Sequence, residues 1–261
     1  MLAFLFSFIV YFAAAQELSI PVKLLANSKP GAERYLGTDA FGWKYTIADN
    51  EFRKQKDSRI VRYKAVALGT IYKADLQNPL QIVLFYKKFN TAVLLDNQLN
   101  ETARINFSEL QQPVLAEAVG LASQNRLWVY DANTQQVGLY DTAPRSFKAL
   151  TPPFNKMLQY YQSGYNFFYW ADEGNSLYAV NLFGKVSYLG KLPAFEQLHL
   201  ISPTQVLLQN DNTLYLYNPQ QQNLGRVAIA EKSFKSFDYT AQILSIFTDR
   251  EIIYYNITLP E

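Results

Sequence analysis

Leu127-Trp128-Val129-Tyr130-Asp131 is one copy of a phrase that recurs down the chain, an apolar and aromatic run that closes on Asp or Asn and enters a turn. Further copies are Leu177-Tyr178-Ala179-Val180-Asn181, Leu214-Tyr215-Leu216-Tyr217-Asn218 and, with shifted aromatics, Ile252-Ile253-Tyr254-Tyr255-Asn256. Val93-Leu94-Leu95-Asp96 is a weaker copy, and a degenerate one ends near Gln55. The closing residues lie about 41, then 35, 50, 37 and 38 positions apart. A four-stranded propeller blade takes roughly 40–45 residues, so residues 36–261 divide into about six such blades. The long interval contains Pro144, Pro152 and Pro153 and reads as a loop inserted between blades over 142–155.

Within a unit the strands are legible. In the fourth, strands are expected over 157–162, 166–171, 176–181 and 185–190, with Asp172-Glu173-Gly174-Asn175 as the central hairpin. Asn210-Asp211-Asn212 and Thr248-Asp249-Arg250 repeat that turn chemistry at the same phase in the fifth and sixth units. The sixth unit ends soon after its third strand. A lead-in strand near Ile20 to Leu25, with Pro21 marking an edge or irregular start, can fill the vacant place. Sharing one blade between the two termini removes an exposed sheet edge. The expected fold is therefore all-β, a β-propeller of about six four-stranded blades closed by N- and C-terminal strands. Leu115 to Ala122 contains helix formers, but Val119-Gly120 and its place in the repeat argue for a strand.

Bulk composition agrees. Aromatics reach 15% of 261 residues, which suits pleated surfaces. A net charge of +2 gives no general attraction to nucleic acid. The chain has no cysteine, which excludes disulfides, thiolate metal sites and a cysteine nucleophile. Residues 1–15 read as an export signal: Leu2 to Phe12 is apolar apart from Ser7, and Ala13-Ala14-Ala15 offers a small-residue cleavage site. That run is shorter than the roughly 20 residues a helix needs to span a bilayer. The expectation is a cleaved signal at 1–15 and a single propeller domain over 16–261, periplasmic and without a membrane span.

No constellation for catalysis, cofactor or metal stands out. His199 is the one histidine, in an apolar stretch expected to be the inner strand of the fifth unit, where a structural or surface role is expected. The carboxylates Asp39, Asp49, Glu51, Asp172, Glu173, Asp211 and Asp249 could pair for glycoside hydrolysis, but most fall in turns, where Asp serves local backbone bonding. No turn matches a calcium loop. Arg53 to Lys64 holds six basic residues in twelve, and reads as a solvated face of two strands or, with Lys87-Lys88, as a patch for an acidic partner or anionic headgroup. Seven rings crowd between Tyr160 and Trp170. Packing between blades would bury them, and a binding surface would expose some. Asn100, Asn106 and Asn256 begin glycosylation sequons, weak signals in an Asn-rich chain.

The segments Gly37 to Tyr45, Asn78 to Tyr86, Phe89 to Asp96, Asn125 to Asp131 and Phe168 to Asp172 together resemble a family of exported β-propeller-like proteins of Bacteroidota. The resemblance spans about residues 36–261. More narrowly it is similar to the soluble periplasmic plug of the type IX secretion translocon. It implies an outer-membrane secretion pore protein as partner and no catalytic site.

Two function classes remain open. One is a non-catalytic, protein-binding propeller that serves as an accessory or plug subunit of an outer-membrane secretion complex. The alternative is a carbohydrate-binding or carbohydrate-acting propeller, with Trp43, Trp128 and Trp170 stacking on sugar rings. An axial channel filled with apolar side chains is expected for the first, and two carboxylates facing each other in an axial funnel for the second.

Overall fold

The chain is a ring of six β-sheets in a computed structural model that describes residues 18–29 and 31–260. The expected export signal over 1–15 lies outside the described residues. Two strands, β1 (Leu18–Ile20) and β2 (Val22–Ser28), precede the first complete blade. Blade 1 follows as β3 (Arg34–Thr38), β4 (Lys44–Ala48), β5 (Glu51–Lys56) and β6 (Arg59–Tyr63). Blade 2 is β7 (Lys73–Asp75), β8 (Ile82–Tyr86), β9 (Thr91–Leu95) and β10 (Glu101–Asn106). Blade 3 is β11 (Ala116–Ala122), β12 (Arg126–Asp131), β13 (Gln136–Asp141) and β14 (Ser146–Ala149). Blade 4 is β15 (Leu158–Ser163), β16 (Phe167–Asp172), β17 (Ser176–Asn181) and β18 (Val186–Lys191). Blade 5 is β19 (Gln197–Ser202), β20 (Gln205–Asn210), β21 (Thr213–Asn218) and β22 (Asn223–Val227). The last three strands, β23 (Ser236–Thr240), β24 (Ile243–Phe247) and β25 (Ile252–Ile257), belong to blade 6. Its fourth strand is β2, antiparallel to β25 with Val22 opposite Ile257.

The N-terminal strand thus closes the ring, as the incomplete sixth unit requires. Pro21 divides the lead-in into two strands that serve different blades. β1 continues onto blade 5 as a fifth, parallel strand, with Leu18 opposite Gly225. A proline lacks the N–H that a continuous ladder would use, so the chain steps from one sheet edge to the next at that residue. The parallel addition to blade 5 was not readable from a three-residue segment.

One expectation is corrected. Leu127 to Asp131 is the second strand of its blade, whereas the other copies lie on third strands. The phrase in phase is Val137-Gly138-Leu139-Tyr140-Asp141, on β13. Measured from Asp141 the intervals become 45 from Asp96 and 40 to Asn181, and the anomalous long gap vanishes. The region read as an inserted loop contains β14, the outer strand of blade 3, and an ordinary link to blade 4. Two adjacent strands carrying the same phrase produced the slip.

The phrase has a physical basis. Its apolar positions fill the space between neighbouring sheets, and its final Asp or Asn turns the chain. Asn181 Oδ1 accepts from the N–H groups of Phe183 and Lys185, at 3.0 Å each. Asn218 Oδ1 does the same for Gln220 and Gln221, and Asp96 Oδ1 for Gln98 and Asn100. These are Asx turns, in which a short side chain substitutes for a backbone acceptor. Asn256 differs, since it lies inside β25 opposite Lys23 and closes no hairpin. In blades 1 and 5 the turn between second and third strands has two residues of positive φ, Asp49-Asn50 and Asp211-Asn212. That is the geometry of tight hairpins, and Asn and Asp tolerate it best among residues with a side chain.

The core lies between blades, which explains how strands can be apolar on both faces. β8, for example, is buried throughout: Ile82 and Leu84 pack toward blade 1, Val83 and Phe85 toward blade 3. The joint between blades 6 and 1 is the thinnest, with Tyr35, Phe247 and Ile252 as its buried members.

Candidate functional site

The first strands line the ring axis, and those of blades 1, 2, 4, 5 and 6 border a half-open cavity of about 740 Å³. Its wall is polar. Lys73 and Asp75 come from β7, Tyr160 and Ser163 from β15, His199 from β19 and Asp238 from β23. The axis is therefore not packed with apolar side chains, contrary to the expectation attached to a docking protein.

Asp75 joins three blades. Its Oδ2 accepts from the Leu121 N–H of blade 3 at 2.7 Å and from the Ser163 hydroxyl of blade 4 at 2.5 Å. Its Oδ1 accepts from the Gln77 N–H at 3.0 Å. Blade 3 leaves room for this meeting through Gly120: a Cβ there would lie 2.1 Å from Ser163 Oγ and 2.9 Å from Asp75 Oδ2. Gln162 makes a similar staple onto blade 5, donating to the Leu200 carbonyl at 2.8 Å and accepting from the Leu200 N–H at 2.9 Å.

Lys73 reaches toward blade 4. Its ammonium donates to the Tyr161 carbonyl and lies 3.6 Å from the centroid of the Tyr161 ring. Burial lowers this amine to about 8, against the pull of Asp75. His199 makes no hydrogen bond to any described residue and stands edge-on to Tyr239, with ring centroids 6.2 Å apart. Burial, and then the Lys73 charge, hold its pKa down at about 4, so the imidazole is neutral at pH 7. Asp238 lies beside blade 1: a Cβ on Gly37 would come within 2.9 Å of its Oδ2. Burial raises this carboxyl to about 7, opposed by hydrogen bonds from the Thr38 backbone, the Thr240 hydroxyl and the Tyr239 backbone. These groups keep partial exposure to the cavity, and the desolvation they undergo makes their ionisation costlier.

Among cavity residues the sequence singled out His199, Asp39 and, for its ring, Tyr160, and missed Lys73, Asp75 and Asp238. Asp39 accepts from the N–H groups of Phe41 and Trp43 and from the Tyr45 hydroxyl, so it is a turn former. The other candidate carboxylates stand away from the axial cavity. Asp49, Glu173, Asp211 and Asp249 sit in the turns between second and third strands of four different blades. Asp172 ends β16 and accepts from the Gly174 and Ser176 N–H groups, and Glu51 pairs with Arg53 at 2.7 Å. The structure brings none of these together as a facing pair in the cavity.

The tryptophans do not offer free platforms. Trp128 and Trp170 are buried between blades 3 and 4. Trp43 is covered by Lys54 at 4.7 Å and Arg59 at 5.6 Å from its ring centroid. Within the basic cluster some charges are tied down, while Lys56, Arg59, Arg62 and Lys64 stay on the exposed face of two strands. Lys54 is buried and donates to the Asn97 carbonyl, Lys56 donates to the Phe41 carbonyl, and Arg53 and Arg62 share Glu51. Lys87 pairs with Glu117.

The crowded rings divide between the two readings. Tyr161, Phe168 and Trp170 join the core between blades 3 and 4, and Tyr160 and Tyr169 pack toward blade 5. Tyr165 and Phe167 emerge at the first hairpin of blade 4. They share one end of the ring with Phe41, Leu80 and Phe183, all on connections between first and second or third and fourth strands. Phe183 is 92% exposed, Phe41 68% and Leu80 67%. Phe41 also stands at the rim of the axial cavity.

No family model and no curated protein matches the chain. Many solved structures share its fold. A catalytically inactive virginiamycin B lyase from Staphylococcus aureus with quinupristin aligns over 95% of this chain and 98% of its own, with TM-score 0.60 and 10% identity. The β-propeller domain of Cps50 (Swd1) from Myceliophteria thermophila aligns over 91% and 100%, with TM-score 0.60 and 8% identity. The extracellular domain of a putative one-component system from B. thetaiotaomicron aligns over 89% of this chain and 40% of that one, with TM-score 0.53 and 13% identity. These likenesses establish the propeller and extend to no activity. Among the described residues no helix is long and apolar enough to cross a membrane, and no group of His, Asp or Glu is arranged to hold a metal ion.

Proposed function

We propose that this chain is a non-catalytic, protein-docking propeller of the periplasm, exported by a cleaved signal over 1–15 and acting as an accessory or plug subunit of an outer-membrane protein secretion translocon. The observation that carries the reading is the set of apolar side chains at one end of the ring. Phe41, Leu80, Tyr165, Phe167 and Phe183 project from connections whose backbone is held by the sheets behind them. Exposed aromatics on a rigid frame lose little entropy when covered, and they are favoured anchors of protein interfaces. Exposed apolar side chains gathered on hairpins of three blades favour an interaction site at that end. Of the carboxylates considered for catalysis, Asp39 and Asp172 hold turns, and Asp49, Glu51 and Asp249 pair with basic side chains, which supports a binding role over a chemical one.

Affinity capture of the tagged full-length chain from a native membrane extract tests the proposal. Co-purification of an outer-membrane pore protein is the expected result. Recovery of the chain as a free monomer in the soluble fraction would count against it.

A further inference from the structure

The axial cavity has unspent hydrogen-bonding capacity of opposite character on opposite walls. On the side of blades 2 and 4, the Lys73 ammonium uses one donor on Tyr161, and an ammonium has three. Across the ring, where blades 6 and 1 meet, Asp238 lines the same cavity with acceptor positions beyond the three hydrogen bonds it receives. His199 of blade 5 lies between them with both ring nitrogens free of described partners. The other carboxylates of the lining are Asp39, Asp75 and Glu196; Asp39 holds its own turn, and Asp75 is tied to Leu121, Ser163 and Gln77 as the joint between blades 2, 3 and 4. Tyr160 and Tyr239 supply flat side walls.

We infer that the axial cavity binds a small zwitterionic peptide, its carboxylate on Lys73 and its ammonium on Asp238. A cavity of about 740 Å³ falls within the usual range for a ligand site and accommodates more than a single amino acid. A partly desolvated cation and carboxyl held apart are each costly alone, and a dipolar ligand satisfies both at once. A simple anion would leave Asp238 unserved, and a simple amine would leave Lys73 so. The inference concerns the ring axis and stands independently of the docking end.

His199 is the sequence's one histidine and gives a single imidazole resonance inside the cavity. The test follows its Cε1–H NMR signal in the full chain, carrying no histidine tag, during titration with alanylalanine, acetate, ethylamine and N-acetylalaninamide. Alanylalanine is expected to move the signal saturably, and N-acetylalaninamide to leave it in place. Lys73→Met and Asp238→Asn are each expected to weaken the dipeptide response about tenfold or more, the loss expected for a charged partner, with the amide fingerprint confirming a folded ring. No saturable shift with alanylalanine would overturn the inference. So would saturation by acetate or ethylamine at the same concentration as the dipeptide. Where a variant fails to fold, the four-ligand comparison on the unaltered chain decides alone.

Discussion

Ser163 of blade 4 donates its hydroxyl to Asp75 of blade 2 across 2.5 Å, past the inner strand of blade 3 that lies between them. The contact exists because Gly120 on that strand has no side chain to occupy the space. Three blades are fixed around one carboxylate.

Gly120→Ala is therefore expected to destabilise the ring by about 1–3 kcal/mol, the usual cost of overpacking. Urea unfolding measures it. Ser163→Gly should recover part of the loss in the double variant, because the new Cβ would also lie 2.4 Å from Ser163 Cβ. A purely additive double variant would show that the two residues do not compete for this space.

Asp131 and Asp141 end adjacent strands with the same phrase, but their surroundings differ. Asp131 is buried and accepts from the Leu115 and Asn133 N–H groups and the Thr134 hydroxyl. Asp141 has partial exposure and accepts from the Ala143 N–H. Asp131→Ala is expected to cost about 2–3 kcal/mol, since it strands buried donors, and Asp141→Ala about 0.5–1 kcal/mol. Thermal or denaturant midpoints of the two variants check the order.

The same pair shows how far the sequence could be read. Period, strand content, turn chemistry and the blade shared by the termini were all legible, because each is written in contiguous residues. The phase of blade 3 was not, since β12 and β13 carry equivalent phrases and local pattern cannot rank them. The axial groups were illegible for a different reason. Lys73 and Asp75 lie on a three-residue strand, and 163 positions separate Asp75 from Asp238. Their proximity to one cavity is a product of ring closure, which leaves no mark on either neighbourhood. His199 stood out by rarity alone.

The cavity groups give stability a definite pH dependence. Asp238 titrates near 7 in the folded chain and near 3.8 when unfolded, so between those values the native state holds the extra proton. Stability from this group therefore falls as pH rises from about 4 to 7. His199 works in the opposite direction: its folded value of about 4 lies below 6.5, so its contribution is present above 6.5 and lost as pH falls toward 4. Asp238→Asn should remove the first slope and leave the second, so that the variant gains stability with pH across this window. Denaturation series at pH 4.5, 5.5, 6.5 and 7.5 (values chosen to bracket roughly both transitions) read the difference. Parallel curves for variant and parent would contradict the assignment.

Docking through one end of the ring is tested most directly by site-specific photocrosslinking in cells. A photoreactive residue at Phe183 reports on the end that carries Phe41 and Leu80, and one at Phe89 reports on the opposite end. The account predicts an adduct with an outer-membrane protein from position 183 and none from position 89. Adducts from position 89 alone, or from neither position, would contradict it.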